Sequence, residues 1–424
     1  MNAIVIALLF TLFHGAYTDG TPTDSSQTRF DQLRVKKAVQ LALQQNPKIN
    51  RIEEELQAAK AKRRTAVGIS NPELIYYREG INDGDFAEET WRISQSFDFP
   101  TTSLFRSKQF SKELEAAEQR YYSEKLALIS KVKQAYTDVA YQQEAEHLAK
   151  ESVRLARQLQ DAAQTRFQVG ESAEMDVLNA NIRLAQAENR HQKAVQQLME
   201  ARYELFTVIG LESEEQQYDI QFPDTLTYVE VSVDQQRVLN SLQEHPKLKY
   251  RDNQKSAADY NLKKAASSFA PDIRFDYYKQ NLGAGAYDFT GFEVGFSVPL
   301  WFVFKQGPQV EQARAMQNNA AWQRKETLLT LKQNAEKAWH GYDSQNQNIR
   351  RHLETIQAQA RKLLQQTQRG YQAGNVNLLQ VLEAQRTYVQ SQLSYYQNLR
   401  DYYHRLINLE QYLQEELVFI TGEF

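Results

Sequence analysis

RFQVGESAEMDVLNA at 166–180 and GYQAGNVNLLQVLEA at 370–384 decide how this chain is read. In each, an aromatic residue (Phe167, Tyr371) stands three positions ahead of a glycine (Gly170, Gly374), and a Val-Leu pair (Val177-Leu178, Val381-Leu382) begins seven positions after it. The two copies lie 204 residues apart. Working outward, three earlier pairs keep an offset of 199: Asn46-Pro47-Lys48 with His245-Pro246-Lys247, Asn71-Pro72-Glu73 with Ala270-Pro271-Asp272, and Phe97-Asp98-Phe99-Pro100 with Phe296-Ser297-Val298-Pro299. Self-similarity at that spacing means that the chain is written twice, with five residues gained in the long middle segment of the second copy. The repeats span 29–210 and 237–415, joined by a polar linker at 211–236 holding Pro223 and followed by a tail at 416–424.

Both repeats run through the same patterns. A helical stretch (31–68, then 234–269) leads to two short alternating segments, then to a very long helical stretch, a glycine, and a returning helix. Residues 101–169 contain neither Pro nor Gly, and 69 residues at about 1.5 Å each make a rod of roughly 100 Å. Val177, Leu184, His191, Leu198 and Leu205 recur every seven residues, beside a second row of Ala180, Ala187, Ala194, Ala201 and Val208. In repeat two the rows are Ala321, Leu328, Ala335, Tyr342, Ile349, Ile356 and Leu363, then Val381, Tyr388, Tyr395, Tyr402 and Leu409. Sustained heptads predict coiled-coil packing, so each repeat is expected to form a long helical hairpin, 101–210 with its tip near 170 and 302–415 with its tip near 374. Gly170 and Gly374 suit the reversals, with Ser172 and Asn377 expected as N-caps of the returning helices.

The short segments, at about 72–79, 90–99, 272–279 and 290–298, alternate with period two. Trp91, Ile93, Gln95, Phe97 and Phe99 share one face opposite Arg92, Ser94, Ser96 and Asp98; Phe292, Val294, Phe296 and Val298 lie opposite Glu293, Gly295 and Ser297. About nine residues is the length of a tilted transmembrane strand. A soluble sheet with one face on a core is the other reading, but the heptad rows are already engaged in helix packing. Loops at 79–89 and 280–290, rich in Gly, Asn and Asp, close the two strand pairs. Four strands cannot close a barrel, and a bilayer tolerates no open edge, so several chains must share one: two would give eight strands and three would give twelve with room for a channel.

At the front, 3–13 is an apolar run followed by a polar stretch, which predicts a signal peptide at 1–18; a short buried helix is the alternative. Beyond it no apolar run of the 424-residue chain approaches the ~20 residues of a helical span, and mean hydropathy is −0.65. A net charge of −3 gives no reason to expect a nucleic-acid partner. Phosphate loops, HExxH and GxSxG are missing, there is no Cys, and the seven His residues have no ligand spacing, so neither enzyme, cofactor nor metal site is expected.

These residues together resemble the TolC-like outer membrane efflux proteins, over nearly the whole length after the leader. The features that carry the resemblance are the duplicated halves, the Pro-flanked strand pairs and the tip pattern at 166–180, echoed at 371–384. The resemblance implies a mainly α fold with a small β part: a homotrimer with a twelve-stranded transmembrane β-barrel in the outer membrane, continuous with an α-helical barrel in the periplasm. It implies partners too, a periplasmic adaptor and an inner-membrane pump of RND type. Tips at Val169, Gly170, Glu171 and Ser172 and at Ala373, Gly374, Asn375 and Val376 match the loops that meet the adaptor. Family members narrow the tunnel with carboxylates six and nine residues after the second glycine, here Gln380 and Glu383, with Asp176 and Asn179 at the matching places of repeat one. Three copies of Glu383 would form an acidic ring favouring cations; a solvated surface charge is the plainer reading of that residue. Without Cys, no acyl anchor is expected. Cargo is ordered as heavy-metal cations first, drugs or dyes second and secreted proteins third. The alternative from another class is a poreless periplasmic coiled coil or an adaptor protein.

Overall fold

In the computed structural model the described residues are 32–80, 87–211, 220–283 and 288–417. The expected signal peptide, the tips of both strand-closing loops and most of the tail lie outside them. Repeat one runs α1 (Val35–Gln45), α2 (Pro47–Arg64), β1 (Glu73–Glu79), β2 (Glu88–Phe97), α3 (Pro100–Gln168) and α4 (Glu174–Ile209). Repeat two runs α5 (Gln235–Ser241), α6 (Pro246–Ser267), β3 (Asp272–Leu282), β4 (Asp288–Ser297), α7 (Gln306–Arg351), a π turn (His352–Ile356), α8 (Gln357–Gln372) and α9 (Leu378–Leu413). No helix among the described residues is long and apolar enough to cross a membrane.

Each leading helical stretch is broken in two at its proline. Pro47 and Pro246 take the first position of α2 and α6, where a missing N–H costs nothing. Asn46 caps α2 by accepting from the Lys48 and Ile49 N–H groups at 2.9 and 3.4 Å. At the matching place His245 caps α6, its Nδ1 accepting from the Lys247 N–H at 3.1 Å.

The four strands form one antiparallel sheet in the order β1-β2-β3-β4. Register places Ile93 opposite Tyr277 and Tyr277 opposite Phe292, so one face carries a continuous apolar band. No helix covers it: Trp91, Ile93, Phe275, Tyr277, Phe292, Val294 and Phe296 are all exposed. The other face is polar and internally paired. Asp276, only 2% exposed, accepts from the Ser94 hydroxyl and from Arg274 Nε at 2.9 Å, and Arg274 and Arg92 both approach Glu293.

The main hydrophobic core sits instead at the waist of the helical part. There α1, the middle of α3, the ends of α4 and α9, α5 and α7 meet around Tyr136, Leu205, Ile209, Ile349, Leu399 and Tyr402. The linker proves to be more than a polar spacer. Ile220, Phe222, Leu226 and Val233 are buried in this core, and the extended strap 220–233 is stitched to the helices by aromatic donors. Tyr403 donates to the Thr227 carbonyl at 2.6 Å, Tyr402 to Val229 at 2.9 Å, Trp339 to Val233 at 2.9 Å, and Tyr342 to Val231. An extended segment has no ladder of its own, so these side chains satisfy carbonyls that burial would otherwise strand.

Two expectations need correction. The extra residues of repeat two lie ahead of its long helix: the chain makes a turn at 300–305, and α7 starts at Gln306 rather than at 302. The heptad row through Ala335, Tyr342 and Ile349 also fails at Ile356 and Leu363, which are exposed. The π turn adds one residue to the helical repeat, so the seam continues one position later, through Leu364 and Tyr371. Along the returning helix α4, Ala180, Ala187 and Ala194 are buried as the heptad predicts.

Candidate functional site

The two hairpin tips form the candidate site, and the same backbone device builds both. At the end of α3, Gly170 N–H donates to Phe167 O at 3.0 Å and Glu171 N–H to Arg166 O at 2.8 Å; at the end of α8, Gly374 N–H donates to Tyr371 O at 3.1 Å and Asn375 N–H to Gly370 O at 2.8 Å. Both glycines have φ +79°, the left-handed conformation in which a side chain is strained, and open space surrounds each. Conformation, not crowding, requires glycine here. Val169, Gly170 and Glu171 and their counterparts Ala373, Gly374 and Asn375 are exposed, while Ser172 and Val376 are half-buried.

The returning helices start differently. Asn377 caps α9 as expected, in a reciprocal box: its Oδ1 accepts from the Gln380 N–H at 3.0 Å, and Gln380 Oε1 accepts from the Asn377 N–H at 3.1 Å. Ser172 does not cap α4. That helix begins at Glu174 behind Ala173, and the Ser172 hydroxyl turns back to the Ala163 carbonyl at 3.5 Å. Without a side-chain cap, the first turn carries Glu174 and Asp176, whose charges suit the positive end of the helix.

Among the residues singled out for the constriction, Glu383 is exposed on α9, one turn beyond Gln380. Gln380 has its carbonyl oxygen committed to the cap, a role that glutamine and glutamate fill alike at this position. Asp176 is half-buried and Asn179 exposed on α4.

A residue pair that the spacing does not reveal ties the two tips together. Arg166, at the end of α3, lies over the Tyr371 ring at 4.9 Å, donates to the Tyr371 carbonyl at 3.0 Å and stands 3.7 Å from Glu171. Tyr371 packs with Leu159, Leu378 and Val381. Burial raises the pKa of its phenol, the Arg166 cation opposes that shift, and the nearby Asp176 carboxylate adds to it. The duplication is broken at these positions: Phe167, the counterpart of Tyr371, is exposed, and Gly370 occupies the place of Arg166. A Cβ at Gly370 would stand 2.4 Å from Val376 Cγ2, so Val376 occupies the space that a side chain would need there. This departure of one copy from the other was the signal available in the sequence. Among the described residues no group of three or more acidic or His side chains could hold a metal ion.

Comparison with known proteins matches this architecture. The family model described as outer membrane efflux protein matches residues 38–211 and again 238–414. No curated protein sequence matches. Among solved structures, VceC from Vibrio cholerae superposes with a TM-score of 0.76 at 17% identity, covering 89% of this chain and 95% of that one. CusC gives 0.74 at 18%, covering 91% and 93%, and the CmeC outer membrane channel of Campylobacter jejuni gives 0.76 at 16%, covering 89% and 85%. At these identities the structures speak for the fold, and the family model, matched over both repeats, speaks for the lineage: the chain belongs to the outer membrane efflux protein family, non-enzymatic channels of the outer membrane.

Proposed function

We propose that three copies of this chain close a twelve-stranded barrel and form the exit duct of a tripartite efflux pump, taking substrate from a periplasmic adaptor and an inner-membrane pump of RND type. The supporting observation is the open sheet. Strands β1 and β4 are its edges, and an exposed apolar band lies on one face opposite a polar face of paired charges. In a bilayer such edges are viable only when they pair with the next copy. An adaptor or a poreless rod would have no use for that band. The exposed tips around Gly170 and Gly374 would meet the adaptor. Three Glu383 side chains would line the narrowest part of the tunnel, with Asp176 and Gln380 nearby. Heavy-metal cations remain the first cargo on this reading, with drugs, dyes or secreted proteins behind them.

Extraction of the protein from membranes in detergent, followed by mass measurement, tests the assembly. A particle of three chains is expected, and a soluble monomer would overturn the reading. For the constriction, Glu383→Gln should lower the cation preference of the reconstituted pore; unchanged selectivity would remove Glu383 from it.

A further inference from the structure

The heptad row that the π turn interrupts is still written in the sequence of α8. Below the turn the seam runs Leu353, Gln357, Ala360, Leu364, Thr367 and Tyr371, of which Ala360, Leu364 and Tyr371 are fully buried. An uninterrupted helix would present Leu353, Ile356, Ala360, Leu363, Thr367 and Gly370 instead, with the same a/d spacing. The two rows share Leu353, Ala360 and Thr367, and at about 100° per residue a rotation of roughly 50° about the helix axis exchanges them. Ile356 and Leu363 are the large side chains now left outside, 47% and 44% exposed. The π turn is also incompletely satisfied. His352 and Gln392 are buried, yet His352 Nε2 and Gln392 Nε2 have no hydrogen-bond partner among the described residues.

We propose that α8 is a two-register helix and that the π turn is its switch. In the register of this structure the turn takes up one extra residue and sends Tyr371 into the pocket of Leu159, Leu378 and Val381. In the other register the turn relaxes to plain α-helix, Ile356 and Leu363 enter the seam, and Gly370 takes the place of Tyr371. Arg166 then loses the ring it lies over, so the change of register unties the two tips. The duplicated half supplies the precedent. The offset of 204 that matches the tips pairs Ala360 with Ala156, Leu363 with Leu159, Leu364 with Gln160 and Tyr371 with Phe167. On α3, one unbroken α-helix, Ala156 and Leu159 are buried, Gln160 is half-buried and Phe167 is 41% exposed. The register open to α8 is therefore the one that its own twin holds. Apolar burial does not separate the two states widely, since Ile356 and Leu363 enter as Leu364 and Tyr371 leave. The orphaned His352 and Gln392 nitrogens weaken the state with the π turn and narrow the gap further, which is the condition for a helix to move between two discrete packings. The switch rests on packing within one chain, so it stands or falls apart from the channel reading.

The chain has no Cys, so one introduced thiol reports on one position. Leu364→Cys is buried in the present register and uncovered in the other, whereas Ala187→Cys on α4 is buried and takes no part in the exchange. The rate at which a maleimide labels each thiol is measured in the folded, full-length protein in detergent. Two changes bias the switch without touching a buried side chain. Deletion of the exposed Glu354 removes the residue that the π turn accommodates and fixes the present register; Ile356→Ser together with Leu363→Ser takes away the apolar row that the other register buries. Either change should slow labelling of Leu364→Cys by about ten-fold or more and leave Ala187→Cys unchanged. The serine pair decides the matter by itself where the deletion impairs folding. A Leu364→Cys that never labels would overturn the switch, and so would a rate that neither change alters or that falls equally at both thiols. Faster labelling with the serine pair would overturn it too, by showing that Ile356 and Leu363 serve a contact with a neighbouring copy.

Discussion

Replacing His245 by Asn should remove a pH dependence of stability that the second repeat has and the first lacks. His245 is buried, and its Nδ1 accepts the Lys247 N–H as the cap of α6, a bond that only the neutral imidazole can make. Burial, with the nearby Lys247 charge, lowers its pKa from 6.5 to about 4. The folded protein thus keeps the ring neutral over a range in which the unfolded chain takes up a proton. Stability from this group is fully present above about pH 6.5, is lost as pH falls towards about 4, and changes no further below that. Over the whole window the loss is about 3 kcal/mol per protomer, and at pH 5 it is about 2 kcal/mol. Asn46 does the same capping in repeat one with a group that does not titrate, so His245→Asn preserves the helix start while deleting the proton site. Chemical denaturation of the detergent-solubilised protein, followed by helical circular dichroism at about pH 7.5 and about pH 5, provides the measurement. Carboxylates that titrate in both proteins cancel in the comparison. The wild type should lose about 2 kcal/mol more than the variant between the two conditions. Equal losses would refute the argument, because they would mean that His245 is protonated in the folded state or that α6 does not need the cap.

Two further perturbations address the waist. Lys133, buried on α3, bonds Glu410 and Glu416 at 2.8 Å each, so Lys133→Met should destabilise by about 3–5 kcal/mol by removing the cation beside a buried carboxylate. Adding Glu410→Met should restore most of that loss, and a double variant as unstable as the single one in denaturant titration would contradict the assignment. Tyr403→Phe removes the donor to Thr227, which should cost about 1–2 kcal/mol and speed proteolysis within the strap 220–233. Unchanged cleavage would show that the hydroxyl does not hold the strap.

How much of this was legible beforehand depends on the range over which each feature is encoded. Local periodicity and duplication carried the hairpins, the strand pairs, the glycine reversals and the Asn377 cap, because each is decided by residues within one or two turns of one another. Ser172 looked equally good as a cap. It failed because the α3 terminus offers its hydroxyl the Ala163 carbonyl, a contact across the reversal that spacing alone does not encode. The heptad row through Ile356 failed for a similar reason: the π turn sits where its own His352 is buried against Tyr395 of α9, with ring centroids 5.8 Å apart.

By itself, then, the amino-acid order determined the two-fold repeat, the long rods and the alternating strands, since a period of seven or of two is a property of the chain before it folds. Only the tertiary structure decided where the apolar surface goes. The linker counted as polar became a strap through the core because aromatic donors on α7 and α9, more than a hundred residues away, reach its carbonyls. Arg166 and Tyr371 met because two hairpins 205 residues apart pack side by side. The turn at 300–305 kept its aromatic residues on the surface because its own backbone closes it and no helix comes near enough to bury them.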